Sequence, residues 1–563
     1  MLVATVVLIE MVAVSKLRRR LLTVMMVAMT TILAFAASPE TARAADAGAI
    51  TIGGDVATQY DAYQLFSATV TDKAGSDQKV ATDLAWASDA ARQAVLPVLY
   101  DAEFDSSAST AQEAAEWLNA DGHMSTALAA RLACAICNAG AASVPLNAGT
   151  TAELPCGYWL IVADDDAIDQ GEAGTAPIMA LVGGGAVTVK PKAATPKVAK
   201  HVLEDGTAAW QKAADATVAD DLYWRLSATA PAGLTAYDTY AVRFVDTMSA
   251  GLDPSKVAAS MRVYVAAGAD GGFDAVSAGK DGRAGTDPAK GWTDITAQCA
   301  TKVAVDGKTF TVRTGDLIAA LGGADAFTAG ARVVAVYNAP LNSACNHGIA
   351  KGNPNEVYLR YPRSPLADQS GDAGFTRTPS DDACAYTWGL SLIKRSSSDD
   401  KPLAGAKLRI IDDRGRILTT DGSWSTDADA CITTDADGHV ELSGVDAGVY
   451  TVEEIAAPKG YTAFEGKRTV TVTAEGLDVK QVATAKPKVT VSVESPLRVD
   501  TADARTGSIE LSVLNTPSKE AGRGFMPSTG DRTLVLVAVL AAIGVAAIVV
   551  ALVIKRGGGR REI

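Results

Sequence analysis

Two long apolar runs bracket the chain, and between them apolar and polar residues mostly alternate with the two-residue period of strands. "TIGGDVATQYDAYQLFSATVT" (residues 51–71) alternates well enough for strands, and "GYWLIVAD" (157–164) reads as another. Between them the period changes. Thr110 with Glu113 opens "TAQEAAEWLNA" as a capping box, and "STALAARLACAIC" puts Leu128, Leu132 and Ile136 on one helical face. Farther on, "LYWRLSATAP", "YDTYAVRFVDT", "MRVYVAAG", "RVVAVYNAPL" and "EVYLRYP" recur between Gly, Asp and Pro turns, the rhythm of a β-sandwich. "RSPLADQSGDAGFTRTPSDDA" reads as a polar connector, and a third β-region runs from "WGLSLIKR" to "GSIELSVLN". The pattern predicts a mainly β protein of tandem Ig-like β-sandwich domains. Their expected bounds are 45–192, with a helical insert, 193–367 and 386–519.

The terminal runs differ from this body. The first (21–37) follows "SKLRRR" and precedes Ala42-Arg43-Ala44, which predicts a secretory signal peptide over residues 1–44. The second (534–554) has 21 residues without a charge, enough for a transmembrane helix. The basic "KRGGGRREI" behind it is expected to stay in the cytoplasm, leaving the body outside the membrane.

Composition narrows the function classes. A formal charge of −14 over 563 residues disfavours a nucleic-acid partner. Seven cysteines fit an oxidising compartment, and Cys384, at the edge of the third region, with Cys431 inside it is the expected disulfide. Cys134 and Cys137 form a lone CxxC with no second pair and no nearby His, so no zinc site is expected. "TTDADGHVEL" lacks the later Glu of a calcium loop and reads as a hairpin turn. The four histidines are scattered, and no GxSxG, HExxH or P-loop pattern supports turnover chemistry. No cofactor is implied.

Strand parity exposes an unusual set. Leu390, Leu392 and Lys394 share a face; so do Tyr450, Val452 and Glu454, and Ile509, Leu511, Val513 and Asn515. Each strand thus puts one polar residue on the side that should be core, where isolated Lys and Glu are costly. Burial turns the ammonium into a neutral amine nucleophile and keeps the acid protonated. The acid then polarises the Asn carboxamide and shuttles the proton, ammonia leaves, and an amide joins the two side chains. The alternative is a buried Lys–Glu pair hydrogen-bonded by Asn.

"YTVEEIAAPKGY" (450–461) resembles the E-box of Gram-positive pilins, with Val452 for the usual Leu, and "KPLAGAKLRI", "TTDADGHVELSGVDAGVY" and "VLNTP" resemble the CnaB-type domain around it. The resemblance implies Lys394 as nucleophile, Glu454 as acid/base and Asn515 as electrophile. It makes the chain similar to sortase-assembled major pilins, with only a single-turnover self-modification in place of enzyme activity. "PKVAKHV", "FVDTMSAGL" and "VYNAPLNSACNHGIAKGNPNEVYLRY" resemble the fimbrial isopeptide domain, implying Lys200 and Asp246 as a second pair. That family closes with Tyr-Ser-Asn-Asn-Pro, and here "YPRSP" puts Arg363 at the expected Asn position. Asn355 has the same parity but lies eight residues earlier, roughly 26 Å at ~3.3 Å per residue. The expectation is a middle domain without its covalent bond, Asp246 pairing with Arg363 or Lys200, and one ammonia lost on folding rather than two.

"FMPSTGD" (525–531) resembles the LPxTG sorting signal, with Met526 for Leu, and the apolar run and basic tail follow in the family's order. The resemblance implies cleavage between Thr529 and Gly530 by class C and housekeeping sortases, and a transient membrane anchor. "VKPKA" departs from the family's acceptor motif but keeps a lysine, Lys192, at the acceptor position, with Lys190 the runner-up. The implied partners are other pilin copies and peptidoglycan. The rival expectation is a wall-anchored monomeric adhesin, which needs no acceptor lysine.

Overall fold

A computed structural model describes residues 47–53, 59–76, 78–120, 122–191, 195–230, 234–266, 292–304, 306–326, 331–420, 422–477 and 488–518. The expected signal peptide, the apolar run 534–554, Lys192, Thr529 and Gly530 lie outside these residues. No helix among the described residues is long and apolar enough to cross a membrane.

The first unit has a sheet of Lys79–Trp86, Gln59–Asp72, Gly157–Ala163 and Ile178–Val182, with Ser143–Asn147 pairing Gln59–Asp72. A second sheet contains Thr151–Pro155, Ala47–Ile52 and Val187–Val189. Gly157–Ala163 is buried at every position, because helices cover one face and the second sheet the other. The helical insert is Asp89–Asp101, Ala111–Asn119 and Thr126–Asn138, capped by Ser88, Thr110 and Ser125. The Thr110–Glu113 capping box forms, and Leu128, Leu132 and Ile136 point into the core as their spacing predicts.

The middle unit is two facing sheets. One has the order Ala209–Gln211, Val198–Glu204, Tyr223–Thr229, Arg332–Asn338, Arg262–Ala266, Trp292–Asp294. The other runs Ala213–Asp215, Asp381–Tyr386, Asn353–Pro362, Arg243–Met248, Thr309–Arg313, Ala300–Val303, with Phe375–Arg377 beside Asn353–Pro362. The expected polar connector therefore ends as sheet. Asp381–Tyr386 pairs with Asn353–Pro362 in a register that sets Cys384 opposite Pro354. This corrects the expected Cys384–Cys431 disulfide. Cys384 stands in the middle sheet, Cys431 precedes strand Ile432–Thr433 of the next unit, and the two form no disulfide. Burial pushes the Cys384 thiol up to about 11.

The third unit is also two sheets. His439–Val445, Trp388–Ser396, Ser508–Pro517 and Tyr461–Thr462 form one, with Leu497–Asp503 on Ser508–Pro517. Lys407–Ile411, Gly448–Ala456, Lys467–Glu475 and Lys488–Val493 are the main strands of the other. Trp388–Ser396 and Ser508–Pro517, the unit's first and last strands, lie side by side in parallel. A pull on the two chain ends therefore shears this pair.

The junction between the middle and third units is acidic. Asp215 accepts hydrogen bonds from Trp388 Nε1 (2.6 Å) and the Ala447 amide (2.9 Å), and burial, then the charge of Asp215, raises Asp446 well above the usual carboxylate range. Glu204 accepts from the Asp215 amide at 3.2 Å. Burial, then the neighbouring Asp215, raises Glu204 to about 7. Nearby, Arg414 spans Asp205 and Asp220, and Arg416 adds a second contact to Asp220. A carboxyl raised by folding contributes stability that is fully present below its unfolded pKa and is lost as pH rises through its folded pKa. Wild-type stability is thus expected to fall between about pH 4.5 and about pH 7. Glu204→Gln is expected to flatten that slope and to gain on the order of 2 kcal/mol at pH 8, read from thermal melts across pH.

Candidate functional site

The third unit assembles the residues that parity marked. Trp388–Ser396 alternates buried and half-buried without a break, so Lys394 falls inward with Leu390 and Leu392. Register sets Ser396 opposite Asn515, which places Asn515 diagonal to Lys394 on the same face. Glu454 comes from the facing sheet, in line with Leu408. All three are buried. The contacts close a triangle. Lys394 Nζ donates to Asn515 Oδ1, Lys394 Nζ lies 3.1 Å from Glu454 Oε1, and Asn515 Nδ2 donates to the same Oε1 at 2.7 Å. The Phe464 amide holds the other acid oxygen at 3.0 Å, and the Phe464 ring lies 5.3 Å from Lys394 Nζ.

Burial is the largest influence on Lys394 and lowers it to about 8, against the opposing pull of Glu454. An ammonium must lose a proton before its nitrogen can attack, and the burial of Lys394 works in that direction. Nζ lies against the carboxamide oxygen, and the acid touches both the Lys394 nitrogen and the carboxamide nitrogen.

The middle unit holds a second such set, and here the structure corrects the expectation. Lys200 is fully buried on Val198–Glu204, and Asp246 on Arg243–Met248 of the facing sheet; the two form an ion pair. That pairing was one of the two expected for Asp246. Arg363 is not its partner. It lies past the end of Asn353–Pro362, where its Nη1 donates to the Asp165 carbonyl of the first unit at 2.7 Å and its own carbonyl accepts from Gly174. Asn355 takes the place instead. Register sets it opposite Met248, diagonal to Asp246 on the same face. The long strand begins at Asn353, so its early end, not its late end, lies beside the Lys–Asp pair.

Asn355 is fully buried and donates through Nδ2 to the Tyr337 hydroxyl at 2.8 Å. Tyr337 Oη also accepts from Lys200 Nζ at 2.9 Å and donates to Asp246 Oδ2 at 3.0 Å. Burial lowers Lys200 to about 8 and raises Asp246. Among the described residues, Asn355 Oδ1 and Asp246 Oδ1 are buried without a hydrogen-bond partner, an arrangement that costs about 1–3 kcal/mol per group. Tyr337 escaped the sequence reading, although Val333, Ala335 and Tyr337 alternate inward on Arg332–Asn338.

Lys190 and Lys197, flanking residues 192–194, are exposed.

Parts of this chain are similar to known proteins. The model of the SpaA prealbumin-like fold domain matches residues 389–487. The chain is 27% identical over 134 residues to a trypsin-resistant surface T6 protein of Streptococcus pyogenes serotype M6, a match over 22% of this chain and 23% of that protein. The aligned part thus spans about a quarter of that relative's length. Among solved structures, the T6 backbone pilin of Streptococcus pyogenes is similar at a TM-score of 0.47 and 15% identity, over 84% of this chain and 98% of that one. The major pilin SpaD of Corynebacterium diphtheriae is similar at 0.40 and 14%, over the same shares. Residues 389–487 of this chain thus match a SpaA prealbumin-like fold domain, and the two solved structures are a backbone pilin and a major pilin.

Proposed function

We propose that this protein is the major structural subunit of a covalently polymerised cell-surface pilus. A sortase joins Thr529 of one copy to Lys192 of the next, and a housekeeping sortase transfers the finished polymer to peptidoglycan. Head-to-tail joining is heterologous and need not close on itself, so repetition yields a filament. Within each subunit, Lys394 joins Asn515 with Glu454 as acid/base, and Lys200 joins Asn355 with Asp246 as its acid.

The buried Lys394–Glu454–Asn515 triangle carries this reading. It lies between the first and last strands of its unit, where an amide resists the shear that tension along a fibre applies. Similarity to backbone pilins and the sorting-signal resemblance at residues 525–531 support the same role.

The test is a boiled, denatured wall extract. Wild type is expected to give a ladder of covalent multimers, and Lys192→Ala to collapse it to a single wall-bound species. A single band from wild type favours the monomeric adhesin instead.

A further inference from the structure

The middle and third units meet the same chemical demand with acids of different length. In the third, Glu454 Oε1 touches both Lys394 Nζ and Asn515 Nδ2 directly. In the middle, the acid is an aspartate, one methylene shorter, and the group that touches the Asn355 carboxamide is the Tyr337 hydroxyl. That hydroxyl contacts nucleophile, acid and leaving nitrogen at once, at 2.9, 3.0 and 2.8 Å. The ring is fully buried and held edge-on to Phe310, with centroids 4.8 Å apart, so the hydroxyl has a fixed position.

We propose that Tyr337 is a catalytic residue of the Lys200–Asn355 cross-link, relaying a proton between Asp246 and the departing nitrogen of Asn355. This inference rests on the reading of Lys200, Asp246 and Asn355 as a bond-forming set. The step balances as follows. Lys200 first gives one proton to Asp246 and becomes an amine. Nζ attacks Cγ of Asn355, and the carbonyl electrons move to Oδ1. The Tyr337 hydroxyl passes its proton to Nδ2 and is reprotonated from Asp246, while Nζ returns a proton to Asp246. The Cγ–Nδ2 bond then breaks, the carbonyl re-forms and ammonia leaves. No oxidant, metal or second reactant is needed.

Tyr337→Phe keeps the ring and its packing on Phe310 and removes only the relay. Loss of a general acid–base group slows such steps by roughly 10²–10⁴-fold. In full chain harvested alongside wild type, peptide mapping is expected to find the Lys394–Asn515 bond complete and the Lys200–Asn355 bond largely absent. Lys200→Ala, which keeps Tyr337 but cannot react, sets the protease resistance of a folded middle unit without a bond. A Tyr337→Phe chain that lacks the bond but matches this resistance supports the relay. One that lacks the bond and falls below it assigns Tyr337 to packing and overturns the relay, as does a variant that forms the bond as fully as wild type. Asn355→Ala separates the underlying reading: if it still loses two ammonias, the bond-forming set itself is wrong, whatever Tyr337→Phe does.

Discussion

Lys394→Ala is expected to abolish the cross-link of the third unit and cost about 5 kcal/mol, the loop-closure term for a link of this span. The joined residues are 121 apart in sequence. An amide there removes most of the unfolded chain's freedom in this unit, as a disulfide of equal span would. For a unit of this size, such a loss lowers the thermal midpoint by on the order of 20 °C. Two variants separate the bond from the packing. Asn515→Ala removes the electrophile and keeps Lys394 and Glu454 as a buried ion pair. Lys394→Met keeps the stem and removes the nucleophile, leaving Glu454 hydrogen-bonded to Asn515. Each is expected to melt well below wild type and to be cut faster by protease. If both melt with wild type, the third unit carries no bond.

The second large effect is on mass. Wild type is expected to weigh less than its mature sequence by two ammonias, one from each site, and Asn355→Ala to show the third unit's loss alone. The expectation of a single loss depended on Arg363 sitting beside Lys200. Arg363 instead ties the end of Asn353–Pro362 to the first unit through the Asp165 carbonyl. Arg363→Ala is thus expected to leave both losses in place. A wild-type chain lighter by one ammonia would return the middle unit to an unreacted Lys200–Asp246 pair.

The third site was legible because Leu392, Val452 and Val513, two residues before its polar members, are buried on the same faces. Lys394, Glu454 and Asn515 each followed buried neighbours at two-residue spacing, and the E-box resemblance fixed which strands meet. The middle site was half legible. Lys200 and Asp246 fell to parity, but parity cannot separate Asn355 from Arg363, which have the same parity eight residues apart. Only register decides, and register comes from pairing with Arg243–Met248 and Asp381–Tyr386. The second of those strands was hidden inside an apparently polar connector: Asp381 and Asp382 keep some exposure while Ala383, Ala385 and Tyr386 are buried. The same strand carried Cys384 away from Cys431. Tyr337 was unreadable for another reason. A tyrosine between valines and alanines on a strand looks like core, and only the convergence of three side chains on its hydroxyl marks it as chemistry.

Tandem mass spectrometry of wall-released polymer tests the central claim most directly. The expected result is one branched peptide joining Thr529 to Lys192 of another copy and a second joining Lys394 to Asn515. Thr529 found only on wall peptide, with Lys192 and Lys394 as free amines, would contradict it.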